Sequence, residues 1–158
     1  MTPARRIGVF GGTFDPPHHG HTAVARAARE ALNLDRLEWV VSATPPHRAA
    51  PIADVFDRFA MVTLATLDEP AMIPSAREIR RGGSSFMIDT LRELRAEAAG
   101  AELFLIIGAD SYDDLDNWRD PAGIRAVAQL AVVPRLGANG PQALNPRPGE
   151  RAVAIEMP

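Results

Sequence analysis

The histidines are the residues of this sequence that most directly suggest chemistry. The segment Gly11-Gly12-Thr13-Phe14-Asp15-Pro16-Pro17-His18-His19-Gly20-His21 places two imidazoles, those of His18 and His21, on either side of Gly20. Gly20 keeps side-chain bulk out of the space between them. Imidazole donors and helix N-terminal amides that face one point form a phosphate site. The segment therefore predicts phosphate binding. A plain structural loop is the alternative, and zinc is a weaker one because the chain has no cysteine.

A strand must lead into this loop and a helix must leave it. Arg5–Thr13 begins apolar and ends in Gly-Gly, which predicts a buried strand that runs into a tight loop. Residues 20–34 carry apolar side chains at helical spacing, which predicts an amphipathic helix that begins near His21.

The rest of the chain alternates between strand and helix patterns. Further strands are predicted at Leu37–Ala43, Ala71–Glu78, Leu103–Ile107, Gln129–Val133 and Arg151–Met157. Pro74 confines the strand over Ala71–Glu78 to an edge of the sheet. The unbroken apolar run Leu103–Ile107 predicts a central parallel strand. A helix is predicted over 53–68, and one of its faces carries Phe56, Phe59, Thr63 and Leu67. A second helix is predicted over 84–99, with Ile88, Leu91 and Leu94 buried. Short helical pieces are predicted over 111–128. Pro134–Glu150 is predicted to be an exposed loop.

This alternation predicts an α/β fold with a doubly wound parallel sheet. Ligands of such sheets bind at the carboxyl ends of the strands, where the strand order reverses. The loops that follow Thr13, Ala43 and Ile107 are therefore the places where we expect the functional residues.

Composition limits the classes of protein that fit. The chain has 158 residues, 46% of them hydrophobic and 23% charged, which predicts one globular domain over residues 1–158. Its net charge of −3 argues against a general nucleic-acid binder or a binder of anionic membranes. We find neither an apolar run long enough for a membrane span nor a signal peptide at the start, so the sequence predicts a cytoplasmic protein.

The segment His18-His19-Gly20-His21, preceded by Gly-Gly-Thr-Phe-Asp-Pro, resembles the HxGH motif of the nucleotidyltransferase superfamily, whose fold is Rossmann-like with three α/β/α layers. Three more segments resemble motifs of bacterial nicotinate-nucleotide adenylyltransferases in order and spacing. They are Thr44-Pro45-Pro46-His47-Arg48, Ser84–Leu91, and Phe104–Asp110 with the downstream Trp118. HxGH alone indicates only the superfamily, whereas the four segments together indicate this family.

The resemblance implies adenylyl transfer from ATP to nicotinate mononucleotide, with release of pyrophosphate, in NAD biosynthesis. It assigns His18 and His21 to catalysis. Mg²⁺ would arrive with the ATP, and no metal site of the protein's own is expected. The implied ATP contacts are Gly11, Gly12, Thr13, Phe14, His18, His21, Arg48, Gly108 and Asp110. The implied contacts of nicotinate mononucleotide are Ser85, Phe86, Met87, Asp110 and Trp118, with the Trp118 ring stacked on the nicotinate ring.

Two departures from the family pattern matter. Phe86 and Met87 replace a Tyr-Thr pair, so Met87 offers no side-chain donor to the carboxylate of nicotinate. The family's C-terminal Ser-Ser-Thr-x-Ile-Arg helix, which holds ATP phosphates, is expected to be lacking. A related transferase that uses pantetheine phosphate or a cytidylyl donor, and a non-catalytic nucleotide-binding protein, are therefore the alternatives to the enzyme.

Overall fold

The computed structural model describes residues 4–46, 48–134, 136–137, 140–141, 144 and 146–157. The strands are β1 Arg6–Gly12, β2 Arg36–Val41, β3 Met72–Ser75, β4 Glu102–Gly108, β5 Gln129–Val133, β6 Leu136–Gly137, β7 Gly140–Pro141 and β8 Ala152–Ala154. The helices are α1 His19–Leu32, α2 Val55–Thr66, α3 Arg77–Arg81, α4 Met87–Glu97, α5 Ala109–Asp113 and α6 Pro121–Val127, with a 3₁₀ turn at Leu115–Asn117.

Six of the strands form one sheet in the order β3-β2-β1-β4-β5-β8, and every neighbouring pair is parallel. The chain moves outward from β1 through β2 to β3, then returns to the other side of β1 with β4 and moves outward again. The strand order therefore reverses between β1 and β4. The predicted doubly wound parallel sheet is confirmed, and so is the edge position of β3.

Helices cover both faces of the sheet. On one face, α4 residues Ile88, Leu91 and Leu94 pack in a buried cluster with Leu103 and Leu105 of β4. On the other face, Ala25, Ala28 and Leu32 of α1 pack with Phe104 and Ile106 of the same strand. Since successive side chains of β4 are buried on opposite faces, its apolar run belongs to the central strand that the sequence predicts. The three α/β/α layers are thus present.

The face that the sequence groups on the helix over 53–68 is not the face that the helix buries. Phe56 and Leu67 are 70% and 71% exposed, and α2 instead buries Arg58, Val62 and Thr66. The hydrogen bonds of the Arg58 guanidinium explain this choice, because they turn that side chain inward.

Among the described residues, no helix is both long and apolar enough to cross a membrane.

Candidate functional site

The HxGH segment lies at the carboxyl end of β1, beside the point where the strand order reverses. β1 ends at Gly12 and α1 begins at His19, so residues 13–18 form the connecting loop. β4, the neighbour of β1, ends at Gly108 and is followed directly by α5. Crevices at such a reversal are where open α/β sheets bind their ligands. The fold therefore brings together the loops that follow Thr13 and Ile107, two of the three places where functional residues are expected.

The two histidines form a reciprocal cap at the N-terminus of α1. His18 is the N-cap residue, and its Nδ1 accepts a hydrogen bond from the Gly20 amide at 3.1 Å. His21 Nδ1 accepts one in return from the His18 amide at 3.0 Å. The two ring centroids lie 3.8 Å apart, and the ring planes are tilted by 32° to each other. A Cβ on Gly20 would lie 2.8 Å from His18 Cε1, so Gly20 provides the space that the sequence predicts.

This cap determines which nitrogen of each ring carries the proton. A nitrogen that accepts a hydrogen bond from a main-chain amide has no proton of its own, so each neutral imidazole holds its proton on Nε2. Both rings then offer an Nε2–H donor away from the helix backbone. With the positive end of the α1 dipole beside them, these donors suit an anion such as a phosphate.

A stack of aromatic side chains supports His21 from the core. The Phe14 ring meets the His21 ring edge-on at 5.0 Å between centroids, and it packs in turn on Phe10 and Trp39. This burial, together with the nearby His18, lowers the pKa of His21 to about 4. His21 is therefore a neutral donor at physiological pH.

The low pKa of His21 predicts a specific loss of stability in acid. The unfolded chain titrates its histidines near pH 6.5 and the folded His21 near pH 4, so the unfolded state binds more protons between these values. The free energy of unfolding should therefore fall as the pH drops from about 6.5 to 4. His21→Gln cannot titrate, yet glutamine is a normal residue at this position of a capping box.

Urea unfolding of the wild type and His21→Gln at pH 7 and pH 4.5 measures this difference. We expect the wild type to lose more stability than the variant between the two pH values. An equal loss in both proteins would show that His21 does not resist protonation.

The residues at the end of β1 contact neighbouring side chains. Phe14, a predicted ATP contact, is only 2% exposed, so its ring belongs to the core. A Cβ on Gly12 would lie 3.0 Å from that ring, and one on Gly11 would lie 2.6 Å from the Met87 methyl group. Thr13 is half-buried and its carbonyl accepts a hydrogen bond from Arg58. These glycines thus admit Phe14 and Met87 close to the strand.

The predicted mononucleotide contacts lie on the opposite face of the sheet from His21. Phe86, Met87 and Trp118 pack against the cluster that contains Ile88, and each is half-buried. Met87 connects the two halves of the site through its contact with Gly11. The structure therefore gathers Phe86, Met87 and Trp118 on one side of the end of β1 and the histidine pair on the other side.

Ser85 joins the second of the three expected loops to α4. Its Oγ accepts hydrogen bonds from the amides of Ala43 and Thr44, both at 3.1 Å. Its own amide donates to the Thr44 carbonyl at 3.1 Å. Ser85 is buried, and its main visible role is to hold the chain after β2 against the start of α4.

The remaining predicted contacts are exposed. Arg48 stands in the loop between β2 and α2, while its neighbour His47 lies outside the described residues. Gly108 ends β4, and Asp110 lies in the first turn of α5 with its carbonyl bound to the Asp114 amide at 3.1 Å. The described part of the chain contains no group of three or more His, Asp or Glu side chains placed to hold a metal ion.

Arg58 is a residue of the site that the sequence reasoning missed. This α2 side chain is 1% exposed, and its guanidinium donates to the carbonyls of Thr13 at 2.8 Å, Ser42 at 2.7 Å and Ala53 at 3.1 Å. Burial lowers the pKa of Arg58, and the carboxylates of Asp15 and Asp54 oppose that shift. Arg58 therefore joins the loops after β1 and β2 to the start of α2.

Asp15 strengthens the same junction from the HxGH loop. Its two carboxylate oxygens accept hydrogen bonds from the main-chain amides of Ile52 at 2.7 Å and Ala53 at 3.1 Å. The spacing of Arg58, Val62 and Thr66, four residues apart each time, is the signal in the sequence that could have located this buried face of α2.

Comparison with known proteins identifies the family. The family model described as cytidylyltransferase-like matches residues 9–153. The chain belongs to this family. A probable nicotinate-nucleotide adenylyltransferase of Thermus thermophilus is 44% identical over 132 residues, which cover 84% of this chain and 70% of that protein. One of Geobacter sp. is 42% identical over 136 residues, which cover 84% of this chain and 62% of that protein. The resemblance drawn from the four motifs is confirmed.

Solved structures confirm the fold of the family. A Plasmodium falciparum nicotinic acid mononucleotide adenylyltransferase complexed with NaAD matches with a TM-score of 0.73 at 14% identity, over 82% of this chain and 64% of that one. A putative nicotinate-nucleotide adenylyltransferase from Vibrio parahaemolyticus matches with a TM-score of 0.70 at 18% identity, over 81% of this chain and 76% of that one. The chain spans 62% of the length of its Geobacter relative, so it corresponds to part of that longer protein.

Proposed function

We propose that this chain transfers the adenylyl group of ATP to nicotinate mononucleotide, as a step of NAD biosynthesis in the cytoplasm. The observation that carries the proposal is the reciprocal histidine cap, which presents two Nε2–H donors at the N-terminus of α1 beside the reversal of strand order. The names of the relatives support this choice of donor and acceptor.

The reaction needs no nucleophile from the protein. A phosphate oxygen of the mononucleotide attacks the α-phosphorus of ATP, the bond from that phosphorus to the bridging oxygen breaks, and pyrophosphate leaves with the electron pair. His18 and His21 would donate from Nε2 to phosphate oxygens on which negative charge increases during the attack. Preorganised donors of this kind, together with the alignment of the two phosphates, account for the rate of such transfers. Mg²⁺ enters as part of the ATP substrate.

The other residues of the site would orient the two substrates. We propose that the main chain of Gly11 to Phe14, with Gly108, lies along ATP, and that Arg48 adds positive charge over its phosphates. Asp110 would accept hydrogen bonds from ribose hydroxyls. Trp118 would stack on the nicotinate ring, with Phe86 and Met87 beside it and Ser85 holding the loop after β2. Residues 1–158 would act as one domain in this reaction.

The choice of acceptor tests the proposal. With MgATP present, we expect pyrophosphate release with nicotinate mononucleotide to exceed release with nicotinamide mononucleotide, because Gly108, Asp110 and Trp118 match the set that the resemblance assigns to the nicotinate family. Parallel assays offer pantetheine phosphate as acceptor and CTP as donor. Activity only with pantetheine phosphate, activity only with CTP, or equal rates for both mononucleotides would contradict the proposal.

A further inference from the structure

Arg119, the residue after Trp118, extends over the ring of Phe86. Its guanidinium carbon lies 4.9 Å from the centroid of that ring, which places a cation on one of the two aromatic residues of the proposed mononucleotide site. Arg119 itself is exposed, and no hydrogen bond or ion pair joins it to another residue in the part of the chain that the structure describes.

The neighbouring arginines are already engaged. Arg81 donates to the carboxylate of Glu93 at 3.0 Å and to the carbonyl of Phe86 at 3.3 Å. Arg92 forms an ion pair with Asp120 at 2.7 Å. Arg119, by contrast, packs its guanidinium on the Phe86 ring. A guanidinium placed on a ring face keeps its in-plane N–H donors, which match the two oxygens of a carboxylate.

We propose that Arg119 is the residue that distinguishes a pyridine carboxylate from the corresponding carboxamide. This inference rests on the proposed function, because it takes nicotinate mononucleotide as the ligand beside Phe86 and Trp118. Arg119 supplies the donor that Met87 does not have. A carboxylate gains a charge-assisted, two-pronged hydrogen bond from Arg119, whereas a carboxamide offers the guanidinium one neutral acceptor oxygen and a nitrogen that is itself a donor.

The experiment compares both mononucleotides in the wild type, Arg119→Gln and Arg119→Met. The methionine variant keeps an apolar contact with the Phe86 ring but has no donor. For each protein we measure kcat/KM with saturating MgATP and, independently, calorimetric binding of each mononucleotide alone. Arg80→Gln, which removes an exposed arginine from α3, is the matched control for the change in net charge.

We expect both Arg119 variants to lower kcat/KM for nicotinate mononucleotide by about 10- to 100-fold and to lower the value for nicotinamide mononucleotide much less, because only the carboxylate forms the charge-assisted pair. Arg119→Lys keeps the charge without the planar fork and should recover part of the loss. The control should keep the wild-type ratio of the two values.

The outcomes separate this inference from the proposed function. Suppose that the wild type turns over nicotinate mononucleotide and that the Arg119 variants keep the wild-type ratio of kcat/KM for the two mononucleotides, whether or not both values fall. The role of Arg119 is then overturned and the proposed function stands. If no protein shows turnover, yet the wild type binds the acid more tightly and the variants lose that difference, Arg119 is supported and the proposed reaction fails. If neither mononucleotide binds, both are overturned.

Discussion

Replacement of His18 by serine is expected to lower turnover by about 10² to 10³, because it removes one preorganised donor to the reacting phosphates. Serine is a preferred N-cap residue, so the start of α1 should remain capped and the free energy of unfolding should change by less than about 1 kcal/mol. Steady-state pyrophosphate release and urea unfolding, measured on the same preparation, separate the two effects.

The partner histidine gives a graded version of this test. His21→Ala should lower turnover by a similar factor and also lose about 1 kcal/mol of stability, because half of the reciprocal cap is lost. His21→Gln keeps an acceptor for the His18 amide and an N–H beside it, so it should recover part of both losses. His19→Ser is the control at the neighbouring position, since His19, the first residue of α1, is exposed and takes no part in the cap. Full turnover in His18→Ser would mean that His18 only caps the helix.

Replacement of Arg58 by methionine is expected to give the largest loss of stability of any single change considered for this site. The carbonyls of Thr13, Ser42 and Ala53 would each lose a donor. Buried polar groups without partners cost about 1–3 kcal/mol each, so we expect a loss of about 3 kcal/mol or more in urea unfolding. The loop that carries the histidines would also lose its anchor at Thr13, which should lower turnover of the protein that remains folded.

Two further variants show whether the effect belongs to the geometry of Arg58. Arg58→Lys keeps a cation but cannot reach three carbonyls with a planar fork, so it should recover only part of the stability. Arg92→Gln breaks an exposed ion pair with Asp120 and should cost less than about 1 kcal/mol. If Arg58→Met unfolds at the same urea concentration as the wild type, the three hydrogen bonds do not hold these loops.

The position of the site could be predicted from the sequence because it depends on periodicity and on strand ends. The apolar run of Leu103–Ile107 requires cover on both faces, and the alternation of strands and helices then places Thr13 and Gly108 at one edge of the sheet. The role of Gly20 could also be predicted, because only the smallest residue fits beside the His18 ring.

The supporting contacts could not be predicted, since they depend on which loop carbonyls need donors after folding. An arginine within a helix is normally solvated, and nothing in its type shows that Arg58 faces the carbonyls of Thr13 and Ser42. Phe14 presents the same difficulty. The resemblance implies an ATP contact at Phe14, and nothing in the sequence shows that its ring packs against His21 in the core.

The most direct test of the account is the protonation of the histidine rings, observed by ¹⁵N NMR at neutral pH with and without MgATP. His18→Ser and His21→Gln assign the two signals. We expect Nδ1 of both rings to be unprotonated and Nε2 to carry the proton, and we expect MgATP to shift the two Nε2–H signals while both caps remain formed. A proton on Nδ1 of either ring in the free protein, or spectra that saturating MgATP leaves unchanged, would contradict the assignment of this histidine pair as the phosphate donors.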